Sequence, residues 1–365
     1  MKYKYPVYQP SLGGNEKKYV NECLDSTWIS SKGKFINQFE TAFSEYLGIK
    51  YSTGVPNGTI ALHLALLTLG IGAGDEVIVP AFTYIASVNA IAYTGAKPVF
   101  VDSLYDTWLI DPEDIKRKIT PATKAIMPVH LYGHVCDMDS IKKIALENSL
   151  FIIEDVAEAF GSKYKGTYAG NFGDISAFSF FGNKTITTGE GGMVCTNDKT
   201  LYDRMVHFKG QGLAKYREYW HDVLGYNYRM TNICAAIGLA QLERADEIIA
   251  KKRQIFEWYN NNLKGLPLDM HRESEDVFHT YWMVNLLTRT AEERDNLREF
   301  LKDNAVETRP TFYPAHTMPM YTSKFQRHPV AEDIGWRGIN VPSYPDLSEE
   351  DVDNICKVIR EFYSK

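Results

Sequence analysis

Residues 76–102, EVIVPAFTYIASVNAIAYTGAKPVFVD, contain an apolar run, a helical pattern and a second apolar run. The two runs, Glu76-Val-Ile-Val-Pro80 and Pro98-Val-Phe-Val-Asp102, are continuous rather than alternating. Strands covered on both faces read this way. Between them, 83–94 spaces its apolar residues as a helix does. Strand, helix and strand in this order make a βαβ unit with parallel strands.

The same rhythm extends in both directions. An apolar run at 51–55 precedes a helical pattern at 58–69. A helix is predicted from Asp111, a strand over Lys124-Ala-Ile-Met-Pro-Val-His130, a helix from Asp137 and a strand over Leu150-Phe-Ile-Ile-Glu-Asp155. The fold class is therefore α/β, with a largely parallel sheet. Two amphipathic helices, near 14–25 and 34–47, open the chain. After Asp155, Ile175–Phe181 and Gly192–Thr196 read as the strands of a hairpin, with Gly189, Gly191 and Gly192 at its turn end. One long helical stretch is predicted from Thr231-Asn232 to about 263. A chain of 365 residues suits one large domain and one smaller one. We expect the large domain over 1–250 and a small α/β domain over 251–365.

Composition excludes several classes. Apolar residues at 44% and charged residues at 24% are ordinary for a globular protein. A net charge of −6, without a basic stripe, argues against a nucleic-acid partner. No apolar run approaches the roughly 20 residues needed to cross a membrane. The opening MKYKYPVYQPSL lacks the apolar core of a secretory signal. The cysteines at 23, 136, 195, 234 and 356 are odd in number and never at CxxC spacing. They read as free thiols in a reducing, cytoplasmic setting, with no metal site. On that footing the sequons at Asn57 and Asn183 are chance matches.

In an open α/β sheet, ligands bind beyond the carboxyl ends of the strands. Three features fall there. Asp155 ends a predicted strand, where a carboxylate enters the crevice or caps a turn. Asn57-Gly58-Thr59 opens a helix after a strand; it is an anion cradle of free N–H groups or a plain helix cap. Lys184 lies in Phe178-Ser-Phe-Phe-Gly-Asn-Lys-Thr-Ile-Thr-Thr-Gly-Glu-Gly-Gly192, with no other charge before Glu190. An amine held in such surroundings titrates low, as a nucleophile must. One chemistry needs all three. Pyridoxal 5′-phosphate (PLP) requires a lysine for its Schiff base, a carboxylate on its ring nitrogen and a cradle for its phosphate.

At these residues the sequence resembles the DegT/DnrJ/EryC1/StrS sugar aminotransferases, of the fold-type I PLP enzymes. FSFFGNKTITTGEGGMVCTND and HDVLGYNYRMTNICAAIGLAQLE carry the likeness most specifically, and it runs nearly end to end. TWISSKGK, PVHLYGHVCDMD, FHTYWM and TRPTFYPAHTMPMY resemble the subgroup that makes GDP-perosamine. The resemblance implies that Lys184 binds the cofactor covalently and Asp155 pairs with its ring nitrogen. It implies that Asn57, Gly58, Thr59 and Ser179 hold the phosphate, that Tyr84 lies on the ring and that Glu158 sits near its phenolic oxygen. Tyr84 also reads as a core aromatic. Asn227 would reach the phosphate of a neighbouring subunit, implying a homodimer with shared active sites, or a tetramer built from such dimers; alone, Asn227 reads equally as a turn residue. For the substrate, the resemblance points to Trp28, Ser30, Tyr313 and His316, a lone histidine that reads equally as structural. Arg229 would bind an anionic substrate group or join subunits by an ion pair. Two positions depart from the family pattern, Val156 and Pro56; Pro56 has no N–H to offer a phosphate.

The implied reaction moves an amino group from glutamate to C4 of a nucleotide sugar, GDP-4-keto-6-deoxymannose. A UDP- or dTDP-linked acceptor would use the same machinery. A PLP-dependent sugar dehydratase would carry histidine in place of Lys184. An NAD-linked enzyme is disfavoured because Gly70-Ile-Gly-Ala-Gly74 follows a helix and precedes a strand, the reverse of a dinucleotide loop. A non-catalytic regulator would not need Lys184 and Asp155 together.

Overall fold

The computed structural model describes residues 3–323 and 325–364. In chain order its elements are α1 (Glu16–Asp25), α2 (Lys34–Leu47), β1 (Tyr51–Val55), α3 (Gly58–Thr68), β2 (Glu76–Pro80), α4 (Ile85–Tyr93), β3 (Lys97–Val101), α5 (Pro112–Lys118), β4 (Thr123–Ile126), α6 (Met138–Asn148) and β5 (Phe151–Asp155). Then come β6 (Lys163–Tyr164), β7 (Thr167–Tyr168), β8 (Ile175–Ser179), β9 (Gly192–Thr196), α7 (Lys199–Lys209), α8 (Asn232–Leu242) and α9 (Ala245–Asn262). The last third holds β10 (Asp269–Met270), β11 (Val277–Phe278), β12 (Val284–Leu287), α10 (Ala291–Asp303), β13 (Arg309–Pro310), α11 (Pro329–Arg337), β14 (Gly338–Val341) and α12 (Glu349–Tyr363).

Seven strands form the main sheet in the order β1-β9-β8-β5-β4-β2-β3. The pairs β2–β3, β2–β4, β4–β5 and β5–β8 are parallel. β9 runs against both β8 and β1, so the β8–β9 hairpin returns the chain along the edge. The central strands are buried, as their continuous apolar runs require. A second sheet, β10-β12-β14-β13, is antiparallel. It backs a second apolar core, formed by Tyr5 and by residues between Ile255 and Ile359.

Two features depart from the sequence reading. The long helix predicted over 231–263 is two helices that meet at Glu243–Arg244. Neither glycine nor proline marks the joint. Arg244 N–H bonds the Gln241 carbonyl, a tight i−3 contact, and the Arg244 backbone leaves helical geometry. The short-side-chain helix α8 packs against α1 and α2, whereas α9 sends Ile255, Phe256 and Tyr259 into the second core. The two segments thus serve different packing partners. The second departure is α7, capped by the Asp198 carboxylate, which lies where no helix was expected.

One buried carboxylate fixes the strand that carries Asp155. Glu154 Oε1 accepts the Phe172 and Gly173 N–H groups, both at 2.7 Å. Its Oε2 accepts the Gly170 N–H at 2.7 Å and faces His130 Nε2 at 3.0 Å. No part of the side chain reaches water. The loop leading into β8 is therefore tied to β5 from beneath. In Glu154→Gln, an amide nitrogen must face one of these donors. We expect a loss of about 1–3 kcal/mol in stability, read by urea unfolding.

Candidate active site

The carboxyl ends of β1, β2, β5 and β8 open into a cavity of about 590 Å³. Position alone makes it the ligand crevice of an open α/β sheet. Asn57, Gly58, Thr59, Tyr84, Asp155, Glu158, Ser179 and Lys184 all line it. Sequence separations of more than a hundred residues collapse here to one surface.

One part of the cavity is built by α3. Asn57 is its N-cap, and its side chain accepts the Ile60 N–H at 2.9 Å. Gly58 and Thr59, in the first turn, have no intrahelical acceptor, so their N–H groups and the helix dipole face the cavity. A Cβ on Gly58 would stand 2.6 Å from Ser179 Cβ. Only glycine lets the Ser179 hydroxyl approach the same helix end.

Asp155 marks another part. Its Oδ2 accepts the Ser87 hydroxyl at 2.7 Å and its Oδ1 the Ala157 N–H at 3.1 Å. Ser87 in turn lies 3.1 Å from the Thr83 hydroxyl. Burial raises the Asp155 carboxyl above its ordinary value, against the pull of these two donors. Tyr84 is half exposed at the cavity wall and lies 5.5 Å from the Phe312 ring.

Lys184 and Glu158 meet in the middle, with Nζ 3.6 Å from Oε1. The Tyr132 N–H donates to the other Glu158 oxygen at 2.9 Å. Burial pushes the Glu158 carboxyl up to about 7, although the Lys184 amine and the Tyr132 N–H pull it down. Burial likewise lowers the Lys184 amine, against the attraction of Glu158 and Asp155. Desolvation thus works against the charged form of both groups. A neutral amine is the form that attacks a carbonyl.

Other sequence candidates lie elsewhere. His316 does not line the cavity; it is buried on the turn Ala315–Thr317, with Nε2 3.2 Å from Glu332 Oε1 and its ring 4.6 Å from that of His328. Tyr313 packs on Trp336 at 4.9 Å, while its neighbour Phe312 lines the cavity. Trp28 and Ser30 form an exposed loop whose carbonyls accept the Asn232 side-chain and backbone N–H groups. Asn227 is exposed and accepts Arg229 Nε at 2.9 Å; neither lines this cavity.

The cavity also holds residues that sequence reasoning passed over: Ser87, Trp282, Arg309, Phe312 and Asn340. The last four come from the chain beyond 280. Arg309 is the one signal that was readable, a cation in the quoted stretch TRPTFYPAHTMPMY. No group of histidine, cysteine and carboxylate side chains suited to a metal ion occurs among the described residues. All five cysteines are free. No helix among the described residues is long and apolar enough to cross a membrane.

Comparison with known proteins agrees with this geometry. The profile of the DegT/DnrJ/EryC1/StrS aminotransferase family matches residues 10–360. The GDP-perosamine synthase of Escherichia coli O157:H7 is 69% identical over 364 residues, covering 100% of both chains. The Vibrio cholerae GDP-perosamine synthase is 51% identical, covering 98% of this chain and 99% of its own. The solved PLP form of the putative sugar aminotransferase Spr1654 from Streptococcus pneumoniae superposes with a TM-score of 0.94 at 28% identity. It covers 100% of this chain and 99% of its own. The chain belongs to the DegT/DnrJ/EryC1/StrS aminotransferase family.

Proposed function

We propose that this protein is a PLP-dependent aminotransferase that carries an amino group from glutamate to C4 of GDP-4-keto-6-deoxymannose, giving GDP-perosamine. The observation that carries the cofactor reading is the buried Lys184 amine in one cavity with a free helix N-terminus and two buried carboxylates. The residues fit the cofactor. Gly58 and Thr59 offer unpaired N–H groups, Ser179 offers a hydroxyl, and Asn183 Oδ1 is buried with no partner among the described residues. The GDP-sugar reading is supported by full-length likeness to two proteins of that name.

PLP, when bound, supplies an electron-withdrawing ring on which nitrogen is carried between donor and acceptor. Lys184 Nζ would hold it covalently, and the same amine is placed to move protons at the donor's α-carbon and at the sugar C4. Asp155 would pair with the ring nitrogen and favour its protonated form. Ser87 and the Ala157 N–H hold both Asp155 oxygens in register. Gly58, Thr59 and Ser179 would hold the phosphate and Tyr84 would pack on the ring, while Glu158 faces the lysine.

Asn227 is exposed and lies apart from this cavity, which supports its placement against a second subunit's phosphate in a homodimer. Arg229, Trp28, Ser30 and Tyr313 would meet the nucleotide sugar in that assembly. We place the enzyme in the cytoplasm, where its free thiols remain reduced. The division into a large domain over 1–250 and a small one over 251–365 is supported by the second core.

Purified protein with PLP and glutamate is expected to aminate GDP-4-keto-6-deoxymannose and not a UDP-linked 4-keto-sugar, by mass. Amination of the UDP sugar alone would overturn the acceptor and keep the enzyme class. Lys184→Ala is expected to abolish steady-state turnover while retaining its circular-dichroism spectrum; appreciable turnover by it would refute the lysine. Asp155→Asn should lose at least about a hundredfold in kcat/KM, the scale on which removing a positioned acid–base or electrostatic group acts.

Glu158 gives a pH dependence of stability. Its folded-state pKa, about 7, lies above its unfolded value. Its contribution is therefore fully present below the unfolded value and is lost as pH rises through about 7. In cofactor-free protein, Glu158→Gln should gain in Tm relative to wild type between pH 5 and pH 8. A constant difference across that range would place the carboxyl in water.

A further inference from the structure

Trp282 lines the cavity, yet the mechanism above gives it no task. Its indole N–H donates to the Asn183 carbonyl at 2.6 Å. The next carbonyl, that of Lys184, accepts the Tyr8 hydroxyl at 2.6 Å. These are the two peptides flanking the Lys184 Cα. Side chains from outside the hairpin therefore pin both peptide planes, and with them the direction in which the lysine leaves the backbone.

The same indole meets the far end of the side chain. Lys184 Nζ stands 4.0 Å from the centroid of the Trp282 ring. Tyr132 stacks on Trp282, with centroids 5.9 Å apart and planes 14° from parallel. The Trp282 backbone N–H donates to the Tyr132 carbonyl at 2.8 Å. The Tyr132 N–H reaches Glu158, which faces Lys184. Lysine, tryptophan, tyrosine and glutamate thus close a ring around one amine.

The backbone of this ring is held in a costly shape. Tyr132 has φ 56° and Tyr281, next to Trp282, has φ 49°. Bulky residues avoid this region and persist there only where packing over-determines them. Tyr281 is clamped between Phe256 at 3.8 Å and His279 at 3.9 Å.

We propose that Trp282 is a positioning residue that sets both the placement and the proton affinity of the Lys184 amine, with Tyr8 as its partner on the opposite peptide. The inference rests on the reading of Lys184 as the cofactor lysine. Burial disfavours the ammonium form, and the negative face of the indole favours it. Besides the ring, the groups facing the amine are the Glu158 and Asp155 carboxylates from the end of β5. Glu190 from the hairpin and Arg309 from β13 line the same cavity. The Tyr132 hydroxyl is occupied by the Phe312 N–H.

The test is competitive acetylation of cofactor-free protein across a pH series, with the Lys184 peptide quantified by mass. Trp282→Phe keeps an aromatic face, and Trp282→Leu removes it at similar volume. The Leu variant is expected to titrate about one pH unit below the Phe variant, a tenfold difference in neutral amine. Equal midpoints in the two variants would overturn the role in proton affinity. Where the Leu variant melts below the assay temperature, Trp282→Met replaces it. Trp282→Phe and Tyr8→Phe each lose one hydrogen bond to the lysine backbone. Each should weaken PLP binding about fivefold, read by absorbance titration; unchanged affinity in both would overturn the role in placement. Borohydride reduction of wild type with PLP, followed by peptide mapping, separates the two levels. A label on another lysine overturns the cofactor-lysine reading and this inference with it. A label on Lys184 leaves that reading standing whatever the Trp282 variants do.

Discussion

Lys184 Nζ and Glu158 Oε1 lie 3.6 Å apart with almost no access to water. At that contact desolvation outweighs attraction, so the acid's pKa rises and the amine's falls. Much of the surrounding architecture keeps water from this pair. The cavity sits where the main sheet's strands end, so its floor is hydrogen-bonded backbone. Its walls include Tyr84, Phe181, Trp282 and Phe312. A surface lysine would be protonated at neutral pH and inert as a nucleophile.

Asp155 and Glu158 stand three residues apart and are treated differently. Asp155 receives a hydroxyl and a backbone N–H, one on each oxygen. Glu158 receives one backbone N–H and otherwise faces the amine. Asp155 is therefore better supplied to carry a charge, whereas Glu158 is equipped to share a proton with its neighbour. Beneath them Glu154 is wholly committed to structure, with four donors around its two oxygens. Three carboxylates at the end of one strand thus perform three tasks, separated by hydrogen-bond supply.

Lys184, Asp155 and the Asn57–Thr59 turn were legible because each follows from a local rule: a strand's end, a helix's start, a lone cation among apolar residues. The sheet was legible for the same reason, since continuous apolar runs carry their own burial. What escaped was set by contacts remote in sequence. Ser87 meets Asp155 across 68 residues, and Trp282 meets Asn183 across 99. Nothing in either neighbourhood announces a partner. The joint between α8 and α9 escaped because it has no helix-breaking residue; a change of packing partner makes it. His316 was read equally as a substrate contact or a structural histidine, since a lone histidine looks the same in sequence whether it faces a ligand or, as here, a glutamate.

The two apolar cores meet at consecutive residues. Tyr281 packs in the second core and Trp282 in the first. The Tyr8 ring touches both, and its hydroxyl ends on the Lys184 carbonyl. Arg309 and Asn340, on strands of the second sheet, line the cavity opened by the first. The site is therefore not carried by one domain and merely covered by another. The lysine belongs to the main sheet's hairpin, while the groups that fix its backbone come from segments anchored to the second core. A shift of one core relative to the other must move the indole or the Tyr8 hydroxyl against the lysine. Registration between the cores thus becomes a condition on the amine itself, and the strained Tyr281 backbone lies at the joint where that registration is set.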